Sequence, residues 1–140
     1  MDADALANLF TTTSHGVLAT LKRDGRPQLS NILFAWDPEE REAAISVTDG
    51  RAKTRNLRRD PRASLHVQSA DGWSYAVGEG TAVMTEVARE PHDAATAALV
   101  DLYRRMGGEH PDWAEFRQAM IDDERLVLTV RIERFYGMVR

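Results

Sequence analysis

Apolar and polar positions alternate with a period of two along most of this chain, a pattern that predicts a protein built mainly of strands. Residues 15–21 carry Val17, Ala19 and Leu21 in one phase, and Asp24-Gly25 supplies a hairpin turn into a second extended run over 28–36. Asp37-Pro38-Glu39-Glu40 marks the next turn, after which residues 42–48 put Ala43, Ile45 and Val47 on one side of a third strand. Residues 63–68 set Ala63, Leu65 and Val67 against Ser64, His66 and Gln68 in a fourth strand. Asp71-Gly72 turns into a long fifth over 73–85, where Gly78 and Gly80 share a face and predict a bend, a bulge or a close approach to the backbone. Leu126, Leu128, Val130 and Ile132 are in phase over a sixth strand, 126–132.

Elsewhere the apolar spacing lengthens to three and four residues, the helical period. Leu6, Leu9 and Phe10 follow a capping Asp2 or Asp4 and predict a short helix over 3–10. Residues 52–59 lie between Gly50 and Pro61 without an internal breaker and predict a short helix with Leu57 turned inward. Ala95, Ala98, Leu99, Leu102, Tyr103 and Met106 predict a longer helix ending at Gly107-Gly108, and Asp112 opens another. The expected fold is mainly β, of the α+β kind. It is a six-stranded antiparallel barrel with a short N-terminal helix, a helix after strand three and a helical pair before the last strand.

With 140 residues the chain has the size of one domain, residues 1–140, large enough to bury roughly two thirds of its unfolded surface. Its apolar content of 43% and charged content of 29% suit a globular protein. Met1-Asp2-Ala3-Asp4 shows neither a basic n-region nor an apolar h-region, and no stretch nears the roughly 20 apolar residues of a membrane span, so no leader is expected. A cytoplasmic protein with no membrane partner is expected. The absence of cysteine excludes disulfides, thiolate metal sites and Cys nucleophiles, so any redox chemistry is expected to belong to a bound cofactor. His15, His66, His92 and His110 have no metal-ligand spacing and form no Ser/His/Asp arrangement, so neither a metal site nor a triad is expected.

Charge changes the picture. Residues 51–62 hold six of the eighteen Lys and Arg residues against one acid, Asp60, in a chain of net charge −4. Such an island is either a solvated helix face or the seat of an anionic ligand. Nucleic acid is not the expected partner, because the island lacks interleaved aromatic residues and the pI is about 5.5.

Several ordered segments are specific. Gly16-Val17-Leu18-Ala19-Thr20, the run from Asp24 to Asn31, the run from Gly50 to Leu57 and Asp60-Pro61-Arg62-Ala63-Ser64 resemble the pyridoxamine 5′-phosphate oxidase-like split β-barrel family. Trp73-Ser74-Tyr75 and Gly78-Glu79-Gly80 extend the resemblance over most of the chain, and it is nearest to the branch that uses the deazaflavin coenzyme F-420. The resemblance implies a split barrel, a homodimer with cofactor sites at the subunit interface, and Arg51, Lys53, Thr54 and Asn56 as cofactor-anchoring positions.

Physical chemistry agrees with an anchor there. A flavin-type cofactor carries a phosphate, and the tail of coenzyme F-420 adds carboxylates. Arg51, Lys53 and Arg55 supply cations, while Thr54 and the N-terminal amides of the helix supply neutral donors. Gln28, Ser30 and Asn31, joined by Ser46, are candidates to read the polar edge of the ring, although Ser30 also suits an ordinary strand face. Trp73 and Tyr75 are candidates to wall the ring or the substrate from the second subunit, with Tyr75 as a candidate proton source. Trp36 and Trp113 are expected in the barrel core. Glu79 is expected to pair with an Arg, and Glu109, Asp112, Asp122, Asp123 and Glu124 to be solvated helix ends.

The expected activity is hydride transfer from reduced coenzyme F-420 to a small unsaturated or heteroaromatic substrate. One alternative is an FMN-dependent pyridoxamine 5′-phosphate oxidase-like enzyme. Against it, the segment from Arg131 to Gly137 lacks the Trp- and Arg-containing substrate motif of that enzyme. The other alternative is a non-catalytic flavin, deazaflavin or haem-breakdown-type binding module.

Overall fold

A computed structural model describes residues 2–140. In chain order they form α1 (Ala3–Leu9), β1 (His15–Leu21), β2 (Pro27–Leu33), β3 (Ala35–Asp37), β4 (Glu42–Thr48), α2 (Ala52–Arg59), β5 (Arg62–Gln68), β6 (Tyr75–Met84), α3 (Ala94–Gly107), α4 (Trp113–Asp122) and β7 (Arg125–Met138). All strand pairs are antiparallel, in one curled sheet of order β2-β1-β5-β6-β7-β4-β3. This is the mainly β, α+β fold expected from the sequence, a curled half-barrel with seven strands in place of six.

The extra strand comes from the second extended run. Phe34 is almost fully buried and its N–H donates to the Ser14 carbonyl at 2.9 Å, so the chain turns a corner there. Residues before it pair with β1 and residues after it pair with β4, at opposite ends of the sheet. A continuous apolar run cannot announce such a change of partner, since both halves are extended.

The interior gathers Leu18, Leu65, Val67, Ile45, Val47, Leu126, Leu128 and Val130, with Leu6 and Phe10 from α1 and Leu57 from α2. A second cluster lies on the other side of β4 and β7, where Ala44 and Val127 meet Ala95, Leu99 and Leu102 beneath α3. Both faces of these two strands are therefore covered. In β1 the inward face is Leu18 and Thr20, and Val17, Ala19 and Leu21 are the half-buried outer face, opposite to the phase their apolarity suggested. The register decides this. Leu18 lies opposite Leu65 in the core, and the Thr20 hydroxyl accepts from Asn56 Nδ2 at 3.1 Å.

Gly80 sits at a register shift between β6 and β7, and a Cβ there would overlap the Arg131 carbonyl oxygen. That is the bulge and close approach anticipated for the glycine pair. Trp36 packs on Phe10 and Phe135 at the edge of the core. Trp113 is not in the barrel. It opens α4, donates to Glu109 Oε2 at 3.0 Å and lies under the Arg104 guanidinium, because Gly108 (φ 80°) turns the chain so that α3 and α4 meet through aromatic rings.

Candidate functional site

Because β2 has no partner on its outer side, the sheet has a seam where β2 approaches β4, and a groove of about 690 Å³ lies along it. Asn31 and Leu33 of β2 and Ser46 of β4 form one side. Leu99 and Tyr103 of α3 with Phe116 and Met120 of α4 form an apolar wall. Lys53, Asp123 and Arg125 bring charge to the groove. A cavity of this size, mostly apolar with a few fixed polar groups, has the properties of a small-molecule site.

The helix α2 spans the residues its sequence predicted, but its side chains diverge. Lys53 enters the seam groove, whereas Arg55, about 200° further round the helix, enters a second cleft on the far side. That cleft, of about 860 Å³, is shared with Gln28 and with Lys22 and Arg23 of the β1–β2 hairpin. Arg51 is the exposed N-cap residue of α2. The two neutral residues of the predicted cradle are committed to the fold. Thr54 is fully buried and its hydroxyl donates to the Thr48 carbonyl at 2.8 Å, while Asn56 ties α2 to Thr20 of β1 and accepts from Arg59 within the helix.

The island's cations also separate by partner. Arg58 pairs with Asp49, Arg59 donates to the Leu21 carbonyl at 2.7 Å, and Arg62 pairs with Asp60, whose carboxyl it holds at about 2. Arg51, Lys53 and Arg55 have no carboxylate within 4.0 Å among the described residues. Burial pushes the Lys53 ammonium below its usual value, and the guanidiniums of Arg51 and Arg125 push it further. An anion bound there would offset these effects by favouring the charged ammonium.

The remaining candidates lie elsewhere in the protomer. Ser30 is half-buried on the inner face of β2 opposite Leu18. Trp73 is 67% exposed in the turn before β6, and Tyr75 stacks on His66 on the outer face of the sheet at 5.8 Å. Neither aromatic lines the groove of its own chain. The residues that sequence reasoning missed are Arg125, Lys22 and Arg23. Arg125 stands at the first position of β7, one residue before the predicted strand, and its Nη1 donates to Ser46 Oγ at 3.2 Å. Asp24-Gly25 marked the hairpin that carries Lys22 and Arg23, but only the packing of α2 against β1 brings them to Arg55.

A curled antiparallel sheet with an amphipathic groove at its seam defines the split β-barrel class. The family model described as Pyridoxamine 5′-phosphate oxidase matches residues 3–139, and the chain belongs to that family of flavin-type oxidoreductases and cofactor-binding proteins. Among solved structures it is similar to a conserved hypothetical protein from Mycobacterium tuberculosis, at 23% identity and TM-score 0.72, covering 98% of this chain and 84% of that one. It is also similar to an F420 reductase, at 24% identity and TM-score 0.66, covering 97% of each chain. A heme binding protein from Mycobacterium smegmatis shares 23% identity and TM-score 0.67 over 99% of this chain and 54% of that one. At these identities the likeness is one of fold.

Proposed function

We propose that this protein is an oxidoreductase that uses reduced coenzyme F-420 to transfer a hydride to a small unsaturated or heteroaromatic substrate. The observation that carries the reading is the seam groove itself, an apolar slot with Asn31 and Ser46 on one side and the uncompensated ammonium of Lys53 beside Arg51. The groove suits a planar ring with a polar edge and an anionic extension. Lys53 and Arg51 hold the phosphate, and Asn31 and Ser46 orient the ring edge. The side chains of α3 and α4 exclude water from the reacting face. When bound, the reduced deazaflavin supplies the hydride, so the protein needs few catalytic side chains.

The second cleft favours coenzyme F-420 over FMN. Arg55, Lys22 and Arg23 offer cations for carboxylates beyond the phosphate, which FMN lacks. We further propose a homodimer joined through the outer face of the sheet, where Leu29 is 65% and Leu33 51% exposed beside the groove-lining Asn31. In that arrangement Trp73 and Tyr75 act across the interface, Tyr75 as the proton source. Separate titrations with coenzyme F-420 and FMN, followed by reduced-cofactor oxidation over a panel of enones, test the reading. Tighter binding of coenzyme F-420 with turnover is expected. Preference for FMN overturns the cofactor assignment, and tight binding without turnover marks a cofactor carrier.

A further inference from the structure

Arg125 is a half-buried cation at the seam groove. Its side chain is 33% exposed and lines the seam groove, and its Nη1 is fixed by the Ser46 hydroxyl, a neutral acceptor. Its Nε is buried with no hydrogen-bond partner. The Asp123 carboxylate makes a long ion pair with it, 3.9 Å from Nε and beyond hydrogen-bond distance. Lys53 lines the same groove, and both Arg125 and Arg51 act on its charge. Two cations, Lys53 and Arg125, thus line one groove with a single acid, Asp123, next to an apolar wall. Two part-buried cations against one carboxylate leave a surplus of positive charge, which is costly unless a further anion joins it.

We propose that Arg125, held by Ser46, forms with Lys53 a clamp for a carboxylate or phosphate group on a planar apolar ligand of the seam groove. The inference rests on the reading of that groove as a ligand site, but not on which cofactor fills it. It also relocates part of the anchor. The clamp joins two elements 72 positions apart in the sequence, where the charge island suggested a cradle within α2 alone. The Ser46 hydroxyl orients the guanidinium without adding charge, and the Asp123 carboxylate makes no hydrogen bond to it, so its remaining N–H donors stay available to a ligand.

The test uses two fluorescent probes of similar shape, anionic 8-anilinonaphthalene-1-sulfonate and uncharged N-phenyl-1-naphthylamine. Arg125→Met is expected to weaken the anionic probe about tenfold and leave the neutral probe unchanged, as fits the loss of one charge-assisted hydrogen bond. Arg125→Lys is expected to retain most of the affinity, and Ser46→Ala to weaken only the anionic probe, by about threefold. Equal affinities of wild type and Arg125→Met for the anionic probe overturn the clamp, as does an equal loss for both probes. If Arg125→Met does not fold, an unchanged Ser46→Ala overturns it instead. A parallel titration with coenzyme F-420 identifies the source of the anion. A matching loss assigns it to the cofactor, and an unchanged cofactor affinity assigns it to the substrate. Failure of wild type to bind either cofactor would sink the oxidoreductase reading while the probe comparison still judged the clamp.

Discussion

Lys53 and Thr54 are neighbours in α2 and both matched the anchoring pattern, yet one faces the groove and the other the core. Their substitutions should therefore fail in different assays. Lys53→Ala or Arg51→Ala is expected to weaken cofactor binding by about 1.5–3 kcal/mol with little change in stability, as read by calorimetric titration. Thr54→Val is expected to cost about 0.5–1.5 kcal/mol of stability in urea unfolding, because the Thr48 carbonyl loses one of its two donors and keeps only the Arg51 N–H. The lowered pKa of Lys53 also sets a pH dependence. An anion binds the charged ammonium, so affinity should fall as pH rises through a value below 10.5, and Lys53→Arg should abolish that fall. The chemistry of these residues was legible in the sequence, and their division between groove and core was not. That division depends on which side of α2 meets the barrel.

At the scale of elements, local signals were sufficient wherever breakers bracket a run. Gly50 and Pro61 confine α2, whose observed bounds match the prediction, and Gly107-Gly108 ends α3. The start of α3 is set by Asp93, whose carboxylate accepts from the N–H groups of Thr96 at 2.8 Å, Arg89 at 3.0 Å and Glu90 at 3.0 Å. Those bonds, from Thr96 first and Arg89 next, hold its carboxyl well below the usual range. Asp93→Ala should cost about 1–2 kcal/mol, measurable as a shift in the urea midpoint. The difference between wild type and variant is full above pH 3.8 and lost as pH falls below it, since protonation removes the acceptor. Strand ends were less legible. β7 runs to Met138, past the phased residues, because its second half pairs with β6 alone after the bulge at Gly80. Gly80→Ala should destabilise by at least about 1–3 kcal/mol, since the added methyl meets backbone and has nowhere to move.

For the molecule as a whole, the outer face of the sheet carries the exposed apolar side chains. Leu29, Leu33, Tyr136 and Met138 are each about half exposed or more, and a monomer has no evident use for them. Leu29→Glu with Leu33→Glu is expected to convert a dimer to monomers in light scattering, and a wild-type monomer would refute the proposed assembly. Among the described residues no helix is long and apolar enough to cross a membrane. The sequence by itself determined the strand and helix types, the hairpin and helix ends, and the concentration of positive charge in one segment. These follow from periodicity, breakers and charge, which act between near neighbours. Only the tertiary structure decided which face of β1 looks inward, where the chain changes sheet edge at Phe34, and how the charge island is divided. It also brought Arg125 to Ser46 and Lys53, and Lys22 and Arg23 to Arg55. The physical reason is that register and helix rotation are fixed by long-range packing, and a site assembled from distant strands leaves no pattern in the residues beside any one of its members.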